Sequence, residues 1–213
     1  AFNKAAKLTK HKYIVLAHDD MYFCPEWDNI FNKEIELLGE KDFFISGTMV
    51  QPFESYINLN CGLNYQDFNE NKLLKELPLI KYPNFQGTHW QPSLVPIKTW
   101  NKVGGFSEEF SPGLGSDPDF NMKLWKAGVR IFKGLGKCRV YHFSSVSLRK
   151  KAWNNGAKIF LLKWGISIKF FKKHYLKTNK IYYDELKEPT KNLNYFFDLA
   201  KCKLTYYYYK ILN

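Results

Sequence analysis

Apolar and polar positions divide this chain into two regimes. Up to about residue 150, apolar residues come in short runs closed by Gly, Pro, Asn or Asp, the pattern of strands alternating with short helices. Tyr13-Ile14-Val15-Leu16 is such a run and predicts a buried strand over 12–17, preceded by helical composition over 1–10. Pro25 suits the first turn of a helix reaching about Leu38, with Gly39 as its stop. Phe43-Phe44-Ile45-Ser46 opens a further strand. Residues 51–86 show no period and read as a long surface excursion of the kind that carries binding loops. A strand is expected over 93–97 and a short helix over 98–103, ahead of Gly104-Gly105. Asp117-Pro118 opens a helix whose apolar face is Phe120, Leu124 and Ala127 and which closes at Gly128. Two strands follow, over 129–132 and 139–143.

From Lys150 the character changes. Trp153, Ala157, Phe160, Trp164, Ile168, Phe171 and Tyr175 recur at helical spacing with lysines between them, predicting one amphipathic helix over 153–175. Its apolar stripe is expected to cover the domain. The alternative is that this stripe and the tyrosine run 206–209 rest on an anionic membrane. A polar break follows at 184–189, then a last aromatic, lysine-bearing helix over 192–212. No internal repeat is evident.

Composition narrows the class. With 213 residues, 45% of them hydrophobic, the chain can bury a real core, so global disorder is excluded. The formal net charge is +12, from 32 Lys+Arg against 20 Asp+Glu, which favours anionic partners. Most of that surplus is lysine, accompanied by much Asn, Ile, Phe and Tyr, so a coding bias explains it equally well. Cys24, Cys61, Cys138 and Cys202 form no Cys-x-x-Cys pair, which argues against a zinc ribbon or redox motif and suits a reducing cytoplasm. No signal peptide or membrane-spanning run is apparent.

Three places carry candidate chemistry. His18-Asp19-Asp20 directly follows a strand, where side chains project into a crevice in open α/β sheets. Adjacent carboxylates there could hold a hard divalent cation; the competing reading is that they support the turn. Asp117, before Pro118, is a good helix N-cap. A carboxylate there is stabilised as an anion by the helix dipole and could take a proton from a hydroxyl aligned for attack. His142 ends a strand as either a packed core residue or a metal ligand, and its nitrogen suits manganese better than magnesium.

The order and spacing of these segments resemble the family 2 glycosyltransferases of the GT-A fold. Asn3 with Ala5-Ala6 is similar to the family's Asn-rich helix start, and residues 13–20 to the strand leading into its Asp-x-Asp motif. Pro25-Glu26-Trp27 resembles the Pro-x-Trp that follows. Residues 103–110 resemble the Gly-Gly-Phe-Asp-Glu-x-Phe turn, and 116–128 the Glu-Asp-x-Asp helix ending in Ala-Gly. Val140-Tyr141-His142 is similar to the late metal-binding histidine. The resemblance spans about residues 1–150. It implies an α/β, GT-A-like (Rossmann-like) mixed sheet flanked by helices over 1–150, N-terminally incomplete, with a basic helical C-terminal extension over 151–213.

The activity implied is an inverting transfer of a sugar from a nucleotide sugar to a hydroxyl of a glycan or lipid-linked acceptor, assisted by Mn2+ or Mg2+. Asp20 and His142 would be metal ligands and Asp117 the catalytic base. His18 and Asp19 would face the nucleotide sugar; Trp90, Gln91 and Asp119 would face the acceptor. The expected location is cytoplasmic, at the inner face of the membrane if the peripheral contact is made. Departures exist: His18 stands where the family has an acid or amide, and Ser116 replaces the usual Glu. The family's first strands, which grip base and ribose, have no counterpart, so nucleoside diphosphates are expected to bind weakly, without base preference and only with a cation. An open sheet edge and self-association are expected for the same reason. The rivals are a non-catalytic glycan-binding or assembly module and a nucleic-acid binder. Nucleic acid is not expected as a partner, because the lysine-aromatic interleaving sits in the tail helices, where aromatics pack.

Overall fold

A computed structural model describes residues 1–53, 55–111, 114–143 and 154–211. In chain order the elements begin with α1 (Phe2–Ala6), β1 (Tyr13–Leu16), β2 (Met21–Phe23), α2 (Trp27–Leu38), β3 (Phe43–Gln51) and β4 (Ile57–Asn58). Then come α3 (Glu70–Glu76), β5 (Phe85–Gln86), β6 (Ser93–Pro96), α4 (Ile97–Val103), α5 (Ser116–Lys126) and β7 (Ile131–His142). The tail holds α6 (Gly156–Trp164), α7 (Ile168–Phe170) and α8 (Leu193–Ile211).

The chain is an α/β protein built on one mixed, seven-stranded sheet in the order β1-β6-β3-β7-β2, with β4 added to β3 and β5 to β7. β3 and β7 are parallel, while β6 runs antiparallel to both β1 and β3. β1, β3 and β7 therefore point the same way, and their C-terminal ends share one edge of the sheet. β3 is central and buried on both faces along its first six residues, as its unbroken apolar start requires. Phe43, Ile45 and Ile131 pack under α2 on one face. Phe44 and Phe132 pack on the other, against Phe120 and Trp125 of α5 and against the tail residues Phe160, Phe171 and Tyr195. The tail thus shares the main core. The boundary expected at 150/151, like Trp153, lies outside the described residues.

Several sequence expectations need correction. β1 is not a buried strand: only Leu16 is buried and Val15 is 38% exposed, because among the described residues β1 is the sheet's edge and pairs with β6 alone. The Pro25 helix starts two residues later, at Trp27, after Glu26 takes a left-handed conformation. Residues 51–86 are not uniformly irregular; they contain β4, α3 and β5. The two strands expected over 129–132 and 139–143 are joined as one strand, β7, whose pairing with β3 shifts register between Gly134 and Arg139; its glycines let neighbours approach, and the Phe85 ring lies directly over Gly134. The single helix expected over 153–175 is broken at Gly165, left-handed at φ 72°, and restarts at α7 under a Ser167 cap before a wide turn over Phe171–Leu176. Among the described residues no helix is long and apolar enough to cross a membrane.

Candidate functional site

The shared C-terminal edge of β1, β3 and β7 gathers the chemistry. His18 follows β1 by two residues, Gln51 is the last residue of β3, and His142 the last of β7. After β1 the chain crosses this edge through residues 17–20 to reach β2, on the far side of the sheet. β2 then pairs with β7 in a register that sets Met21 opposite His142, and the Phe143 amide donates to the Asp20 carbonyl at 3.1 Å. That ladder brings Asp20 and His142 together although 122 positions separate them. Asp20 Oδ2 lies 3.2 Å from His142 Nε2.

His18 completes the group: one ligand atom from each of His18, Asp20 and His142 falls within 4.8 Å of the others. Donors 2.0–2.2 Å from one ion lie at most about 4.4 Å apart, so small side-chain adjustments would close this set on a cation. One carboxylate with two imidazoles is a borderline donor set, better suited to Mn2+ than to Mg2+. The paired-carboxylate idea does not hold, because Asp19 is exposed and stands outside the group. Burial holds His142 below its ordinary pKa, against the opposing pull of Asp20, and so favours the neutral imidazole that a ligand needs. Gln51 Nε2 lies 2.9 Å from His142 Nδ1. Metal capture at Nε2 calls for the tautomer protonated on Nδ1, with the Gln51 amide turned so that its oxygen accepts that proton. Gln51 would then position the imidazole; its only sequence signal is a polar side chain closing an apolar strand at this edge.

Asp117 comes to the same edge from α5. It is not the N-cap expected from Asp117-Pro118: the cap is Gly115, at φ 90°, and Asp117 sits in the first turn. Only glycine suits that cap, since a Cβ there would also lie 2.9 Å from the Phe110 ring. Gln91 Nε2 donates to Asp117 Oδ1 at 2.9 Å, tethering the carboxylate to the start of β6, which lies at this same sheet end. Burial raises the pKa of Asp117; the Gln91 hydrogen bond and the nearby His18 oppose that rise. His18 thus stands between the two carboxylates, with its ring centroid 6.4 Å from that of His142.

Beside Asp117 lies a polar, aromatic floor. Trp90 packs at a tilt against Tyr56 and His89, at centroid distances of 4.7 and 4.1 Å. Trp90 Nε1 and Gln91 Oε1 are buried and have no hydrogen-bond partner among the described residues, so a donor and an acceptor are available side by side. Tyr56 was hidden in the irregular stretch, where nothing in the sequence marks it.

Asp119 does not join this floor. It is 0% exposed, and its carboxylate accepts from Ser107 Oγ at 2.6 Å and Trp164 Nε1 at 2.8 Å, with Lys163 Nζ at 2.9 Å. Those bonds tie α5 to α6 and leave Asp119 a structural role instead of an acceptor contact. The Gly-Gly turn is fixed from the N-terminal side, where Asn3 makes two hydrogen bonds with the Phe106 backbone. No family model matches this chain, and no curated protein matches it either.

Proposed function

We propose that this protein is a metal-assisted, inverting glycosyltransferase of GT-A-like architecture, acting on a nucleotide sugar and a hydroxyl of a glycan or lipid-linked acceptor. The observation that carries the reading is the convergence, at one sheet edge, of the His18–Asp20–His142 donor set and the Gln91-tethered Asp117. Asp20, His142 and His18 would hold a divalent cation, which would supply charge stabilisation to a departing diphosphate. Asp117 takes the acceptor's hydroxyl proton as that oxygen bonds to the anomeric carbon from the face opposite the leaving group. Its raised proton affinity suits the task, and Gln91 fixes one carboxylate oxygen so that the other faces the acceptor. Trp90 and Gln91 offer the hydroxyl-rich acceptor a stacking surface, a donor and an acceptor.

The test is release of nucleoside diphosphate from a panel of nucleotide sugars, with Mn2+ and an acceptor panel. Turnover should stop with chelator and fall roughly 10²- to 10⁴-fold in Asp117→Asn, while donor binding stays within about twofold of wild type. Equal turnover by Asp117→Asn, or turnover indifferent to chelator, contradicts the assignment. So does an inactive wild type across the whole panel.

A further inference from the structure

α8 has two faces, and among the described residues only one is packed. Tyr195, Leu199, Cys202, Tyr206 and Tyr209 turn inward onto the core. The opposite side carries Leu193, Phe197, Ala200, Leu204, Tyr208 and Ile211, at successive offsets of four, seven, eleven, fifteen and eighteen residues. These positions form one straight stripe along a helix about 28 Å long. Leu193 is 88% exposed, Phe197 65%, Leu204 73% and Ile211 82%, and Phe196 and Tyr207 broaden the stripe. So large a contiguous apolar surface on a folded protein marks an interaction site. The tyrosine run 206–209 is divided between the faces: Tyr206 and Tyr209 pack inward, Tyr207 and Tyr208 outward.

Charge identifies what the stripe meets. Lys201 and Lys203 flank it, and Lys201 lies over the Phe197 ring at 4.4 Å. Along one flank runs a concavity of about 680 Å³, lined by Lys169, Lys172, Lys173, Lys177 and Lys180 from the α7 region and by Asn192 and Asn194 from the start of α8. Among the described residues no Asp or Glu lines it. Lys173 is paired with Asp198, whereas Lys169, Lys172, Lys177 and Lys180 have no carboxylate partner among the described residues. A smaller groove continues along the helix past Lys169, Lys173 and Lys201 to Thr205; it also holds Asp198, the carboxylate that Lys173 and His174 engage. An apolar stripe bordered by lysines, most of them without a carboxylate partner among the described residues, fits a surface that is apolar inside and anionic at its face.

We infer that α8 docks in the plane of an anionic lipid membrane, with its stripe in the headgroup boundary and the lysine-lined concavity receiving lipid phosphates. The glycosyltransferase reading is not needed for this. Vesicle binding and sugar transfer are read out separately, so either can fail while the other stands.

The test uses the whole chain and flotation with two kinds of vesicle, phosphatidylcholine alone and phosphatidylcholine with phosphatidylglycerol. Binding should be strong to the mixed vesicles at low salt, at least about tenfold weaker to neutral ones, and reduced by high salt. Lys169→Gln, Lys172→Gln and Lys177→Gln should each weaken binding to the mixed vesicles about fivefold. The pair Phe197→Gln and Leu204→Gln should abolish it while leaving the thermal unfolding midpoint near wild type. Inorganic phosphate at millimolar levels should not compete, because the stripe supplies much of the affinity. Binding indifferent to lipid charge and salt, or no binding at all, overturns the inference. So does a wild-type dimer that the Phe197/Leu204 pair converts to monomer with vesicle binding unchanged, since the stripe would then be a self-contact. Competition by phosphate to complete release would make the concavity a soluble-anion site and overturn it equally.

Discussion

His89 offers a quantitative check on how the floor of the site is built. It is 7% exposed, its ring packs at a tilt against Trp90 at 4.1 Å, and its Nδ1 lies 3.3 Å from the Gly87 carbonyl. Burial, aided by the positive charge of Lys172, lowers its pKa from 6.5 to about 3, against the Gly87 carbonyl, which favours the charged form. The folded protein therefore holds His89 neutral at pH values where the unfolded chain protonates it. The stability tied to this group is intact above pH 6.5 and is lost as pH falls from there towards about 3. Between about pH 7.5 and about pH 5 the loss from His89 alone should be about 2 kcal/mol. For a chain of this size that is roughly 4–8 °C in melting temperature. His89→Phe keeps a ring on Trp90 and removes the titration; His89→Gln removes it while keeping a donor for the Gly87 carbonyl. Melting followed by circular dichroism across this pH range should show both variants losing about 2 kcal/mol less than wild type on acidification. The remaining histidines are common to all three proteins and cancel. Parallel pH profiles for wild type and both variants would refute the buried, neutral state of His89.

Two further substitutions test the framework around the site. Asp119→Ala removes a fully buried carboxylate that binds Ser107, Lys163 and Trp164, so urea unfolding should show a loss of about 3 kcal/mol. Affinity for Mn2+ should not change, whereas a parallel loss of metal binding would place Asp119 in the site. Gly134→Ala would put a Cβ 2.0 Å from the Phe85 ring in the middle of β7 and should cost about 1–3 kcal/mol in the same assay. A neutral outcome would mean that the β5/β7 pairing does not bring Phe85 onto the strand.

The parts of the fold legible in the sequence were those with a local cause. β1, the start of β3, β6, and the ends of α2 and α4 each follow from an apolar run or a glycine stop. Long-range pairing was not legible. Gly134 and Gly136 look like a break between strands, and the β3 ladder does shift register there: β7 pairs with β3 over residues 131–134 and again over 139–141, so it is one strand carrying an irregularity. The break at Gly165 was masked by an apolar periodicity that continues on both sides of it. At the site, Asp20, His142 and Asp117 could be named because each stands at an element end, where motif spacing is informative. Gln51 and Tyr56 could not, because their importance arises from the β3/β7 register and from ring packing. Asp119 was misplaced because a carboxylate two residues beyond Asp117 lies on the other side of its helix, facing Lys163 and Trp164.

His18, Asp20 and His142 are proposed to form one cation site. Calorimetric titration of Mn2+ into wild type, Asp20→Asn and His142→Gln tests it directly, with circular dichroism confirming that each variant is folded. The expected result is one saturable site per wild-type chain, weakened at least about tenfold in each variant and weaker for Mg2+ than for Mn2+. Undiminished binding by both variants, or none by wild type, would contradict the site and leave Asp20 and His142 as a plain hydrogen-bonded pair closing the β2/β7 ladder.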